Sequence, residues 1–227
     1  MPPWETARWY PEVALYGDGR LISQGPQIEI YPGPALPNLV VTHISERGAA
    51  QILQWAAEAG LVGEDRQLGP QILDSGETLF TVVTPNGTHR TGVTDMSASD
   101  PEIGALREFT EVMHNLGTYM PDDIAGSDAP YEFERLRTIA FPSDAQDLPD
   151  PSLANELDWP LAPIATLGTS LGEPAEYRCA VIEGDDLATL RPMLDRANEL
   201  TLWRSDEITY QVYLHPLLPD DEDCPGF

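Results

Sequence analysis

The sequence predicts an α+β fold, mainly antiparallel, with two to four helices packed on the faces of its sheets. Three observations carry this expectation. Short runs alternate apolar and polar residues between Gly- and Pro-rich breaks; Thr78 to Thr94 folds back on itself across Asn86-Gly87; and a few longer segments space their apolar residues for a helix. With 227 residues, 41% of them hydrophobic, the chain has enough apolar material for one compact domain. A Pro-, Gly- and Asp-rich stretch from Pro121 to Pro130 reads as a loop joining two subdomains, residues 1–120 and 131–227.

Val13 to Tyr16 and Leu21 to Ile22 are strands flanking Gly17-Asp18-Gly19, whose glycines permit a tight turn. Gln27 to Tyr31 alternates and is expected to be a strand with Ile28 and Ile30 facing one way. Ser45 is an N-cap for a helix with a buried stripe of Ala49, Ile52, Leu53 and Ala56, closed by Gly60. In the Thr78 to Thr94 hairpin, Asn86-Gly87 supplies a two-residue type I′ turn, and Phe80, Val82, Thr91 and Val93 share a face. Asp100-Pro101-Glu102 caps and opens a second helix carrying Ile103, Leu106, Thr110 and Met113, which Gly117 can end. Pro142 to Pro163 reads as loops. Leu136 to Phe141, Tyr177 to Glu183 and Ile208 to His215 are strands, the last with Ile208, Tyr210, Val212 and Leu214 on its apolar face. A helix through Leu190, Leu194 and Ala197 lies between the latter two, started or kinked by Pro192.

Charge restricts the classes of partner. There is no lysine, the twelve basic side chains are all arginine, and 38 acids give a net charge of −26. Residues 1–120 carry 15 acids and 6 arginines, residues 121–227 carry 23 and 6. A surface this anionic repels nucleic acid phosphates and acidic lipid before specific contacts form, so nucleic acid is not an expected partner; cationic proteins and cell-wall components are. The acidity fits either codon bias in a high-GC genome or adaptation to strong salt, the latter placing the protein in the cytoplasm of a salt-accumulating cell.

Candidate chemistry is sparse. Gly168-Thr169-Ser170-Leu171-Gly172 matches the nucleophile-elbow pattern and His215 follows it in hydrolase order, which makes a serine hydrolase using Ser170 and His215 the alternative to a non-enzymatic module. An elbow needs a helix after its serine, however, and Pro174 with the strand at Tyr177 leaves little room for one. Asp74-Ser75-Gly76 matches half of an aspartic-protease site, but the motif occurs once and is followed by Glu77. His43, His89, His114 and His215 lack metal spacing, so neither cofactor nor metal is expected. Asp185 or Asp186 is expected to cap a helix, and His215 to lie on the polar side of the last strand. Asn86-Gly87-Thr88 is formally a glycosylation sequon that the hairpin turn explains. Trp4, Trp9 and Tyr10 read as an exposed arm or as a strip sealing one edge.

The two cysteines, Cys179 and Cys224, can close on each other, pin the acidic tail to the body and stabilise the fold by up to about 4 kcal/mol; otherwise Cys179 is a buried thiol and Cys224 incidental. A bridge implies an oxidising compartment. No run approaches the ~20 apolar residues of a membrane span, and the first residues do not read as a signal peptide, so an exported protein would have lost its targeting segment from this sequence.

Three segments carry a resemblance: Leu15-Tyr16-Gly17-Asp18-Gly19-Arg20, Gln27-Ile28-Glu29-Ile30-Tyr31-Pro32-Gly33, and Pro216-Leu217-Leu218-Pro219-Asp220 before Cys224. The chain resembles a group of poorly characterised secreted or lipid-anchored envelope proteins of high-GC bacteria along nearly its whole length, Cys179 included. The resemblance implies export, a cysteine bridge and codon bias rather than salt adaptation. It implies no reaction, and His215 stands where that group would lead one to expect arginine. The expected protein is therefore a non-enzymatic extracytoplasmic binding or interaction module.

Overall fold

The structure, a computed structural model, describes residues 9–70, 76–172 and 177–224. These residues form four α-helices and three mostly antiparallel sheets, an α+β fold in which β4 (Arg66–Leu68) pairs parallel with β6 and β9 with β12, placed below. The chain divides into two compact units, and not at one point in the sequence. One comprises Val13–Ser23 and Val41–Ala129; the other comprises Gln24–Val40 and residues 130–224, with residues 9–12. The segment Pro121 to Pro130, expected to be a loop, holds a 3-10 turn and a strand.

In the first unit, β1 (Val13–Leu15) and β2 (Arg20–Gln24) pair antiparallel around the Gly17-Asp18-Gly19 turn. Gly19 sits at φ +84°, and a Cβ there would meet the Ile44 carbonyl oxygen at 2.4 Å, so two separate restraints demand glycine. The strand β3 (Leu39–Ile44), which no alternation announces, continues this sheet, and β7 (Ile124–Pro130) completes it in the order β1-β2-β3-β7. Helix α1 (Glu46–Glu58) starts at Ser45, whose Oγ accepts from the Gly48 N–H at 3.0 Å and donates to Asp123, while Asp123 takes Arg47 bidentately at 2.9 and 3.0 Å. Its inner face is Gly48, Ile52 and Ala56; Leu53, expected inside, is 44% exposed because the stripe is one residue narrower than its apolar content.

The hairpin strands β5 (Thr78–Thr84) and β6 (Gly87–Val93) pair Thr84 with Gly87. The two linking residues are therefore Pro85-Asn86, not Asn86-Gly87, and Gly87 opens β6 at φ +141°. The slip is two residues, an even number, so Phe80, Val82, Thr91 and Val93 still share a face. That face meets α2 (Pro101–His114), which Asp100 caps by accepting from the N–H groups of Glu102 and Ile103; Ile103 and Leu106 are buried beside Val93, Ala56 and Leu61. The short α3 (Leu116–Tyr119) follows, so Gly117 lies inside a helical turn and Asn115 ends α2.

The second unit is built on a six-stranded sheet made of β8 (Arg135–Pro142), β9 (Asn155–Asp158), β10 (Thr169–Ser170), β11 (Arg178–Glu183), β12 (Thr201–Ser205) and β13 (Ile208–Pro216), ordered β10-β11-β8-β13-β12-β9. Alternation assigns Leu136, Ala140, Ala180, Ile182, Trp203, Tyr210 and Val212 to one face, where they pack with Leu187, Leu190 and Leu194 of α4 (Gly184–Leu194). Glu183 precedes α4 with no side-chain cap, so Asp185 and Asp186 are first-turn acids at the positive end of the helix dipole rather than caps, and Pro192 falls in the last turn. Three strands of this sheet, β9, β10 and β12, went unforeseen. β9 hides within the proline-rich stretch 142–163, β10 is only two residues long, and β12 buries all its residues but Arg204, which blurs the alternation that would reveal it. Conversely, Gln27 to Tyr31 forms no strand: Pro26 and Pro32 bracket it, each lacking a ladder donor, and Ile28 and Ile30 face solvent.

Candidate functional site

The opposite face of the six-stranded sheet carries the polar cluster of this protein. Register puts Arg135, Arg137, Ile139 and Phe141 of β8, Cys179 of β11, and Tyr213 and His215 of β13 on that side, with Arg137 directly opposite His215. Sequence reasoning expected this side of β13 to be wet. Instead His215 is 2% exposed and Arg137 8% exposed, because Tyr10 and the chain beyond Pro216 cover them. The Tyr10 ring stacks on the His215 imidazole with centroids 4.2 Å apart and planes within 8°, and its hydroxyl donates to the Pro216 carbonyl at 3.0 Å. Tyr10 is thus part of a sealing strip, whereas its neighbour Trp9 is exposed and Trp4 lies outside the described residues.

Residues 217–224 form a strap that reverses over this face. The Leu217 N–H donates to the Arg135 carbonyl at 2.9 Å, the Tyr131 hydroxyl donates to the Leu217 carbonyl at 3.0 Å, and both Leu217 and Leu218 are buried. A turn from Leu218 to Asp221 then aims the Asp221 carboxylate at His215 Nε2, 3.2 Å away, while the same oxygen accepts from the Leu218 N–H at 2.8 Å. Arg137 Nη1 donates to the Glu222 carbonyl at 3.1 Å, Arg135 pairs with Asp223, and Cys224 closes on Cys179. The disulfide is therefore formed, spans 45 residues, and ends in a fully buried Cys179 packed with Ile139 and Tyr213.

Burial is the largest single influence on Asp221, Arg137 and Tyr10. It pushes the Asp221 carboxyl up, yet the hydrogen bonds from His215 and the Leu218 N–H, with the nearby positive charges, outweigh it and hold Asp221 below its ordinary range. Burial draws the Arg137 guanidinium below its usual value, with Asp221 opposing. The Tyr10 phenol is pushed far up by burial and then by the Asp221 charge, so it stays a neutral donor. Arg137 Nε and His215 Nδ1 are buried and carry no hydrogen bond from protein atoms, which leaves these two nitrogens as the cluster's unused bonding capacity.

The Ser170 and His215 pair is not assembled. Pairings align Ser170 with Arg178, Ala140 and Val212, three residues from His215 along the strand, and an odd offset places the two side chains on opposite faces. They are separated by roughly 14 Å across three strand spacings and by about 10 Å along the strand. Ser170 is exposed on a two-residue edge strand, its Oγ accepting from the Gly172 N–H at 3.3 Å. Asp74 and Ser75 lie outside the described residues. His43 is exposed on β3, His89 lies 3.2 Å from the Thr84 hydroxyl across the hairpin, and His114 occupies the last turn of α2. Among the described residues, no group of three or more His, Cys, Asp or Glu side chains is placed to hold a metal ion, and no helix is long and apolar enough to cross a membrane.

Two clefts of about 220 and 300 Å³ open in this unit, the first lined by Pro34, Pro37, Glu199 and Trp203 among others, the second by Ala165, Ser170, Arg178 and Tyr210. Both lie at or below the small end of ligand pockets. Tyr10, Arg137 and Asp221 were not foreseen as site residues. The available signal was Arg137, a charge set among Leu136, Ile139, Ala140 and Phe141 in β8; Tyr10 and Asp221 had none. No protein-family model, curated protein or solved structure matches this chain.

Proposed function

We propose that the protein is a non-enzymatic binding module of an extracytoplasmic compartment whose anionic surface takes a cationic partner, either a basic protein patch or a cell-wall component. The observation that carries the reading is the closed Cys179–Cys224 bridge on a chain of net charge −26. A bridge that clamps an acidic tail is compatible with an oxidising environment, and the acid surplus favours cationic ligands by steering and complementarity. The likeness of Leu15–Arg20, Gln27–Gly33 and Pro216–Asp220 to secreted and lipid-anchored envelope proteins supports the same compartment. The partner is expected to meet the surface through many exposed carboxylates rather than enter a deep pocket.

The test is binding of the intact, oxidised protein to an immobilised arginine-rich peptide, with a polyglutamate surface as control, over a series of salt concentrations. Saturable binding at low ionic strength that weakens steeply with salt supports the reading. Equal retention on both surfaces, or none on the cationic one, overturns it. Thiol alkylation of the protein in its native cells, before any lysis, tests the compartment: an unmodified mass is expected, and addition of two alkyl groups contradicts it.

A further inference from the structure

Cations are scarce in this chain, yet three residues able to carry positive charge, Arg135, Arg137 and His215, gather at one end of the β8–β13 face. The strap answers each in turn. Asp223 pairs with Arg135, the Glu222 carbonyl accepts from Arg137, and Asp221 meets His215, while Leu217 and Leu218 bury their side chains alongside. Beyond Pro216 the strap belongs to no strand, so side-chain contacts, a few backbone hydrogen bonds and the bridge hold it. Each non-covalent contact is one that a peptide of the same sequence could make from another molecule.

We propose that this end of the sheet is a docking site for an acidic Leu-Leu-Pro-Asp-Asp-Glu-Asp-Cys segment, filled in cis by the chain's own tail, and that the tail of a second copy takes the same seat once the Cys179–Cys224 bridge opens. The proposal stands apart from the cationic-partner reading, since the ligand here is anionic. Exchange requires only a small-molecule thiol. Its thiolate attacks the Sγ of Cys224, the more accessible partner, and Cys179 leaves as the thiolate, giving a mixed disulfide on the released tail. Cys179 of the other copy then attacks Cys224 of that mixed disulfide and expels the small thiol, so one disulfide breaks for each that forms and the thiol is regenerated. Pro216 and Leu217 are where the tail would redirect, and the cis arrangement dominates until the protein concentration exceeds the effective concentration of the tethered tail.

Two full-length variants make the test decisive. Cys179→Ser retains only the tail cysteine and Cys224→Ser only the sheet cysteine, so a native-type bridge can form only between the two chains. They are mixed in a glutathione thiol–disulfide buffer and the products read by non-reducing mass spectrometry with peptide mapping. The expected result is a Cys224-to-Cys179 heterodimer at least tenfold more abundant than either homodimer. An excess of a synthetic Leu217-to-Asp223 peptide should suppress it, and Arg135→Gln on the Cys224→Ser chain should lower its yield several-fold. Arg135 is partly exposed, so that variant tests recognition without removing a buried group, and circular dichroism confirms that both partners fold. Homodimers as abundant as the heterodimer, or a yield indifferent to peptide and to Arg135→Gln, would overturn the proposal.

Discussion

The helix-and-hairpin unit and the strap-covered sheet handle the same surplus of acid in opposite ways. In the first, carboxylates mostly stay at the surface and serve backbone N–H groups: Asp100 caps α2, Asp95 accepts from the Ser97 N–H two residues on at 2.9 Å, and Asp65 accepts from the Arg90 N–H, 25 residues away, at 2.7 Å. Asp123 joins the start of α1 through Ser45 and Arg47. In the second, Asp221 is drawn inward against His215 and Arg137, and a covalent bridge holds it there. The contrast teaches that a highly anionic chain can satisfy its carboxylates cheaply at backbone N–H groups in water. Drawing a tail carboxylate onto a buried imidazole is done here with a partner fixed on a strand and a covalent restraint on the tail.

The bridge is the sharpest place to break this contrast. Cys224→Ser releases a 45-residue closed loop and is expected to lower stability by up to about 4 kcal/mol, read from urea unfolding with and without reductant. Amide exchange should accelerate in β8, β11 and β13 while the β5–β6 hairpin keeps its protection. Equal loss in both would mean that the bridge does not act on the sheet it clamps.

Asp221→Asn comes next, with an expected loss of about 1–3 kcal/mol, because His215 and the Leu218 N–H lose a charged acceptor in a buried setting. The pH dependence follows from the same group. Its folded pKa lies below the unfolded value of about 3.9, so its contribution is complete above that value and is lost as pH falls through the lower folded one. Wild type should therefore lose more stability than the variant between about pH 6 and pH 2. Asp123 is also held below its ordinary value, chiefly by the Arg47 hydrogen bond, so its share has the same sign. Its partner Arg47 is exposed whereas His215 is buried, so the Arg47–Asp123 share should shrink in concentrated salt while the Asp221 share persists; if both shrink alike, the strap is wetter than its geometry indicates.

The smallest of these effects belongs to the local caps. Asp100→Ala should cost about 1 kcal/mol by freeing the Glu102 and Ile103 N–H groups, with urea unfolding as the readout. A loss as large as that from Asp221→Asn would erase the distinction between local and buried carboxylates.

What could be read beforehand follows the same division. The caps at Ser45 and Asp100, the β1–β2 turn and the shared face of the hairpin rest on residues within a few positions of each other, so the chain states them directly. The Pro85-Asn86 turn was misplaced because Asn-Gly is the stronger local signal, and tertiary packing against α2 is satisfied by either even register. β3, β4, β7, β9, β10 and β12 escaped because they are short, mostly exposed, close to prolines or almost wholly buried, and each such setting hides the two-residue period.

By itself the sequence determined the α+β class, the acidic surface and the two cysteines available to join, since these depend on composition and short-range periodicity. Only the tertiary structure decided that His215 is buried rather than wet, that Ser170 faces away from it, and that Tyr10 and Asp221, more than 200 residues apart, meet at one imidazole. Strand register determines which side chains share a face, and register is a property of pairings between distant segments that no local pattern encodes.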